Sequence, residues 1–524
     1  MADHARGADL LVSSLLFNGV DTCFANPGTS EMHFVAALDE RPEMRCVLGL
    51  FEGVVTGAAD GYGRMTDRPA ATLLHTGPGL ANGLANLHNA RRAHTPLLNI
   101  VGDHASTHLP FDAPLTTDIE GLARPMSDWV GRVGSAASVG TDTATALTQA
   151  LSGAGRVSTL VLPADAAWGS PGAVAEMPLA TPAPATQVSP DAIEEAARLL
   201  RSARRGLLLL GGKALRQVPL EIAQRIAVAT GAGVMCEQTN ARCEQGQGRH
   251  APPRIPYMVD AAVAALAEFD VVILIGARAP VAFFQFPDLP NMVTASGARI
   301  LPLADCDSDL PATLQALSDA TGAAKATLHA PTRTPLPRAE GPLDFGTLPV
   351  AIVQAMPENA ILCDEAISYS HALGQVAKHA PPHDLLQLTG GAIGIGPSLA
   401  VGAAIACPDR PVLNVQADGS ALYTIQALWT QSRERLNVVT VILSNRKYQS
   451  LYSELARMGH HSPGKNARAM LDLSDPNVDW TGLARGLGVK ATRVATAEDL
   501  SRAIRDAFLE MGPHLIEAQM ADGT

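Results

Sequence analysis

The chain has 524 residues and a formal net charge of −12, from 51 acidic against 39 basic side chains. At about 150 residues per domain this length holds roughly three domains with well-buried cores. Hydrophobic residues make up 47% and charged ones only 17%, which excludes a disordered or fibrous chain, and the acidic balance excludes a general nucleic-acid binder, whose phosphate contacts need clustered Lys and Arg.

In chain order, the opening MADHARGADLL carries charges where a signal peptide needs an apolar stretch, so a cytoplasmic location is expected. Residues 45–51 (RCVLGLF) read as a strand that gives way at Glu52 to a helix. Residues 71–101 read as strand, turn and helix, and strand again. The stretch 180–189 (ATPAPATQVS) reads as a linker. A helix over 191–204 and the strands GLLLLGG and DVVILIGA follow, then a second Pro-rich stretch over 330–342. The last third opens with a helix and the strand AILCDE. Between 385 and 408 no residue is charged, which is long enough for a membrane span. Gly390, Gly391, Gly394, Gly396 and Pro397 crowd its first half, however, so it reads as a Gly-rich approach to a ligand followed by a buried helix. The strands PVLNVQ (411–416) and VVTVILS (438–444) flank a helix expected over 425–435.

Alternating short apolar runs and helices predict parallel sheets with flanking helices, in three α/β blocks: 1–185, 186–340 and 341–524. The seven scattered cysteines fit a reducing compartment and form no zinc-type spacing.

Two places carry chemistry. Strand 411–416 runs into Ala417-Asp418-Gly419-Ser420, and strand 438–444 ends at Asn445. Neighbouring parallel strands would put Asp418 and Asn445 at carboxyl ends, where open α/β sheets bind ligands, and this oxygen set suits Mg²⁺. An Asp-Gly pair alone is equally an ordinary turn. The second place is Glu52, between Phe51 and Val54-Val55. Poor solvation there would raise its pKa toward neutrality, whereas an exposed helix-starting Glu would only serve the macrodipole.

NPGTSE, FEGVVTGAADGYGR, GPGLANG, GGAIGIGPSLAVG and ADGS followed by SNRKY stand in this order along the chain. Together they resemble the thiamine-diphosphate-dependent 2-oxo acid decarboxylase and acetolactate synthase superfamily over essentially the whole length. The resemblance implies three doubly wound α/β domains: pyrimidine-binding, middle, and diphosphate/Mg-binding. It implies that Glu52 contacts the cofactor's aminopyrimidine and that Asp418, Asn445 and the Lys447 carbonyl hold Mg²⁺. Ile393 falls where the family places a bulky apolar residue beneath the cofactor. Gly391, Gly419, Ser420, Ile367, Ser368 and Tyr448 fall in segments that line it. Two positions depart from the family motif, Ala417 for Gly and Ser444 for Asn, and neither removes a metal ligand.

For the substrate pocket, Thr29, less so Ser30, falls where benzoylformate decarboxylase has an active-site serine, and His75 matches one of that enzyme's two histidines. The second histidine is replaced by Phe284, a pocket wall, while His104 and His371 are weak candidates. These matches imply decarboxylation of a 2-oxo acid, with carboligation to a second carbonyl or release of an aldehyde. The rival readings are an inactive regulatory or scaffold subunit and a dehydrogenase, and the latter lacks a GxGxxG after a strand. FAD is expected to be absent. The active sites are expected between subunits of a homodimer or dimer of dimers, with 446–476 as a lid and neither nucleic acid nor membrane as partner.

Overall fold

The computed structural model describes residues 6–173, 176–328, 331 and 335–521. Residues 1–5 of the opening segment and parts of the second Pro-rich stretch lie outside the described residues. The described chain forms two compact units: 6–183 with 337–373 and 390–521, and 184–336 with 374–389. The sequence divides into three blocks at 185 and 340; the structure packs the outer two as one unit. It also assigns 374–389, a piece of the last block, to the middle one.

In the larger unit the first sheet has strands β1 (Thr22–Asn26), β2 (Arg45–Leu48), β3 (Ala70–Leu74), β4 (Leu97–Asp103), β5 (Trp129–Arg132) and β6 (Val157–Pro163). They lie in the order β2-β1-β3-β4-β6-β5, all parallel. The central strands β3, β4 and β6 are buried along their whole length, which explains why they read as near-continuous apolar runs instead of alternating ones. Three of their polar residues satisfy one another: Thr72 donates to Asn99 (2.8 Å) and Asn99 to Thr159 (2.9 Å).

The smaller unit contains β7 (Gly206–Leu210), β8 (Gly233–Cys236), β9 (Cys243–Gln245), β10 (Val271–Ile275) and β11 (Arg299–Ala304). Four of these form a parallel sheet in the order β11-β10-β7-β8. Next in the chain come β12 (Ile361–Glu365), β13 (His383–Gln387), β14 (Val412–Ala417), β15 (Val438–Ser444), β16 (Lys490–Val494) and β17 (His514–Gln519). Strand β13 pairs antiparallel with β9 inside the smaller unit. The other five run parallel in the larger unit, ordered β16-β17-β15-β14-β12.

The charge-free stretch resolves into β13, a glycine loop and the buried helix Gly396–Ala406. No helix among the described residues is long and apolar enough to cross a membrane. The helix expected over 425–435 is shorter, Ala427–Arg433. Segment 446–476 is not an irregular loop: it holds helices Gln449–Arg457 and Lys465–Leu471, closed by a bridge between Lys447 and Asp472.

The two outer blocks meet where helix Glu52–Thr66 crosses helix Gly396–Ala406 with backbones in contact. A Cβ on Gly402 would stand 1.8 Å from the Ala58 carbonyl oxygen, and one on Gly61 would stand 2.1 Å from that of Leu399. Only glycine permits so close a crossing.

Candidate active site

After β2 the chain turns through Gly49 to Phe51, which caps helix Glu52–Thr66 in an extended conformation. Glu52 is thereby placed at the helix start with only 8% of its surface exposed. Its Oε2 accepts a hydrogen bond from Asn82 Nδ2 (3.0 Å), and its Oε1 faces Gly79.

A second cluster lies at the carboxyl ends of β1 and β3. Glu31, with a fully buried side chain, accepts from the Gly28 N–H (2.8 Å) and from the Ser30 hydroxyl (2.6 Å). His75 Nδ1 lies 2.8 Å from Glu31 Oε2 and 3.2 Å from Ser30 Oγ. A carboxylate can only accept, so Nδ1 carries the proton and Nε2 is left as the acceptor. Thr29 itself is exposed; the residue brought to His75 is Ser30. Next to His75, Thr76 sits at φ +49° with its hydroxyl buried and unpaired. A β-branched residue is held in that region only by its surroundings, at a cost of roughly 1–3 kcal/mol.

The third group lies where β14 and β15 end side by side, Ala417 opposite Leu443. Asp418 is 4% exposed; its Oδ1 accepts from the Gly419 N–H (2.8 Å) and its Oδ2 from the Arg446 N–H (2.6 Å). Burial pushes its carboxyl up to about 6, against the pull of these main-chain donors. Asn445 follows directly on β15, its Oδ1 accepting from the Lys447 N–H (3.3 Å). Among the described residues no cluster of three or more His, Cys, Asp or Glu side chains stands ready for a metal. One carboxylate, one amide oxygen and a main-chain carbonyl nevertheless fit Mg²⁺, which keeps water and substrate oxygens in its shell. Gly419 lies under the Tyr448 ring, where a Cβ would come within 2.5 Å. The Ser420 hydroxyl is turned inward, donating to the Ala417 carbonyl (3.1 Å) and accepting from Gln416 (2.5 Å).

Ile367 sits at φ +49° in a turn tied down by Asp364, which accepts from the Ala366 N–H (3.1 Å) and from Ser370 Oγ (2.7 Å). Ser368 and Ile393 are half-buried and Gly391 is exposed, so the loop carrying Ile393 faces outward. Phe284 lies on the smaller unit, 58% exposed against Phe283. His371 is exposed; His104 is half-buried with its ring 5.5 Å from that of His108.

Sequence reasoning missed Glu31, Asn82, Asn89 and Glu365. The signal for the two amides was present: Asn82, Asn86 and Asn89 are spaced by four and three residues, one face of helix Thr76–Arg92. Glu365 closes the strand ILCDE and is fully enclosed. Burial pushes its carboxyl up to about 7, although it accepts from the N–H groups of Gly394 (2.5 Å) and Gly396 (2.6 Å).

A buried glutamate at a helix start and an Asp/Asn pair at adjacent strand ends define a cofactor enzyme built on α/β sheets. Residues 5–122 match the thiamine pyrophosphate enzyme N-terminal TPP binding domain, and residues 368–518 match the C-terminal TPP binding domain. The chain is 46% identical over 513 residues to a Mycobacterium tuberculosis (strain H37Rv) protein provisionally named acetolactate synthase large subunit IlvX, covering 98% of each. It is 30% identical to benzoylformate decarboxylase of Pseudomonas aeruginosa, covering 95% of this chain and 96% of that one. The solved 4-hydroxybenzoylformate decarboxylase of Rhodococcus jostii superposes with a TM-score of 0.83 at 25% identity, over 98% of this chain and 99% of the other. The chain belongs to the thiamine-diphosphate-dependent enzymes.

Proposed function

We propose that this protein decarboxylates a 2-oxo acid with thiamine diphosphate and Mg²⁺, and that it either releases the aldehyde or joins the product to a second carbonyl compound. When bound, thiamine diphosphate supplies a nucleophilic carbon and a sink for the electrons left by CO₂ loss. Asp418, Asn445 and the Lys447 carbonyl would hold Mg²⁺ with the diphosphate, and Gly419, Ser420, Ile367, Ser368 and Tyr448 would stand in the segments around it. Glu52 would hold the aminopyrimidine through Oε1 and carry a proton there, since Asn82 binds Oε2. His75, locked by Glu31 with Nδ1 protonated, offers Nε2 as a proton carrier to the substrate; Ser30, not the exposed Thr29, is its hydroxyl partner. By sequence, Phe284 replaces the second histidine that the resemblance to benzoylformate decarboxylase implies, which leaves His75 as the one kept. Fewer proton donors slow protonation and so favour capture by a second carbonyl. Segment 446–476 acts as the lid.

The observation that carries this reading is Glu52: a scaffold needs no buried acid whose one side-chain partner among the described residues is an amide. Flavin is not required in this reading.

The test is protein reconstituted with thiamine diphosphate and Mg²⁺ alone, offered pyruvate, benzoylformate and branched 2-oxo acids, with every product identified. CO₂ release without added flavin, from protein lacking a flavin spectrum, is expected. Glu52→Gln is expected to lower kcat roughly 10²- to 10⁴-fold. An unchanged kcat in that variant, or no turnover of any 2-oxo acid by the wild type, overturns the reading.

A further inference from the structure

A groove of about 920 Å³ runs along the open edge of the larger unit's second sheet, and none of the candidate site residues line it. Its floor is strand β16 and its wall is one face of helix Ala497–Leu509. The sheet ends here: β16 pairs in parallel with β17 on one side and, among the described residues, with no strand on the other. An open row of N–H and C=O groups invites another strand, and proteins commonly guard it with free charge. Here the charges of β16 are neutralised within the chain, Lys490 by Glu510 and Arg493 by Glu517 (2.8 Å).

Helix Ala497–Leu509 packs on both β16 and β17 and buries Leu500, Ile504 and Ala507. Toward the groove it turns Asp499, Arg502, Ala503, Asp506 and Glu510, a stripe with helical spacing. Ala503, at mid-helix, keeps that face shallow. Arg502 and Asp506 are exposed, one turn apart and opposite in charge. Arg502 pairs with Asp499 of its own helix, whereas the Asp506 carboxylate has no partner among the described residues.

We propose that this edge is an interface between two copies of the chain, related by a two-fold axis perpendicular to the sheet that pairs the two β16 strands antiparallel. Paired strands lie about 4.8 Å apart. A helix seated over the middle of each β16–β17 pair then stands two strand spacings from its counterpart, roughly 10 Å, the distance of packed helices. The midpoint of the strand is Thr492 and that of the helix is Ala503, with β17 resuming at His514 level with Lys490. An axis through Thr492 therefore passes close to Ala503 and runs between Arg502 and Asp506. Each Arg502 meets Asp506 of the partner subunit, and the contact repeats across the axis. The face is complementary to itself, as an isologous contact requires. A second copy supplies both the missing strand and a cation for Asp506, which singles it out from an unrelated strand.

The test measures the mass of the full chain by light scattering over a dilution series, with thiamine diphosphate and Mg²⁺ present. Arg502→Asp sets acid against acid at both contacts, and Asp506→Arg sets base against base. Each is expected to weaken association roughly tenfold or more, so that the mass halves at concentrations where the wild type stays assembled. In an equimolar mixture the acids of one variant face the bases of the other, and the wild-type mass is expected to return. Hydrogen exchange over residues 490–494 is expected to be slow in the wild type and faster in each variant alone, because strand pairing covers the edge. A mass unchanged by either substitution, a mixture that does not recover, or equal exchange in variant and wild type would overturn the interface. If one variant fails to fold, the double exchange R502D/D506R decides: it must assemble where the remaining single variant does not. Wild-type protein whose 490–494 amides exchange fast at every concentration leaves the edge to another chain's strand, and the proposal is then wrong.

Discussion

Asp418 shows how far one residue can be read. Its type and its place after a strand were plain in the sequence, but an Asp-Gly pair serves a turn equally well. What distinguishes it is burial, together with main-chain donors from two strand ends. Burial, set against those main-chain donors, holds its carboxyl up at about 6, and a metal ligand must be deprotonated. Above that pH the carboxylate is ready for Mg²⁺; below it a proton competes for the same oxygens. The apparent Mg²⁺ affinity is therefore expected to be flat above about pH 7 and to fall about tenfold per unit below about pH 6. Magnesium titrations of cofactor binding across that range would show it. Asp418→Asn should bind more weakly and lose the pH step, and a wild-type affinity indifferent to pH would sink this assignment. The Thr29 and Ser30 pair shows the opposite limit. Sequence favoured Thr29 by position, and only the turn geometry, which buries Glu31 and points Ser30 at His75, separates the two.

At the scale of elements, the apolar strands and the helix at Glu52 were legible because both follow from periodicity and from glycine placement. Asn82, Asn86 and Asn89 were printed in the sequence at helical spacing, yet their partners, Glu52, Gly53 and Ala392, come from segments up to 303 residues away. No local pattern announces such partners. The crossing of helix Glu52–Thr66 with helix Gly396–Ala406 is of the same kind. Glycines in a helix weaken it, by about 1 kcal/mol each relative to alanine, and sequence alone gives no reason for keeping them. The structure does, because the Ala58 carbonyl lies where a Gly402 side chain would be. Gly402→Val is accordingly expected to lower stability by more than the roughly 1–3 kcal/mol of ordinary overpacking, since the opposing atom is backbone and cannot turn aside. A thermal melt compared with a Gly486→Ala control, which meets nothing within 4 Å, measures it. Equal melting temperatures would contradict the packing described.

At the scale of the whole molecule, the sequence shows three blocks and the structure two units, because contacts between distant blocks are invisible to composition. The larger unit leaves apolar side chains uncovered beside three motifs of the site. Met32 and Leu50 are each 45% exposed next to the Ser30 and Glu52 segments, and Tyr423 is 52% exposed after Asp418. Apolar surface flanking polar site residues is what a partner covers, which supports a site shared between two copies, Glu52 from one and Asp418 from the other. Co-expression of Glu52→Gln with Asp418→Ala separates the two arrangements. If each site lay within one chain, every site would carry a defect and the mixture would be as inactive as either variant alone. If sites are shared across a two-fold interface, a mixed dimer has one site with both substitutions and one with neither. Random pairing makes half the dimers mixed, so about a quarter of wild-type activity is expected to return. Recovery near that level, with each variant alone inactive, requires the shared site, and its absence in a verified mixed dimer would assign both half-sites to one chain.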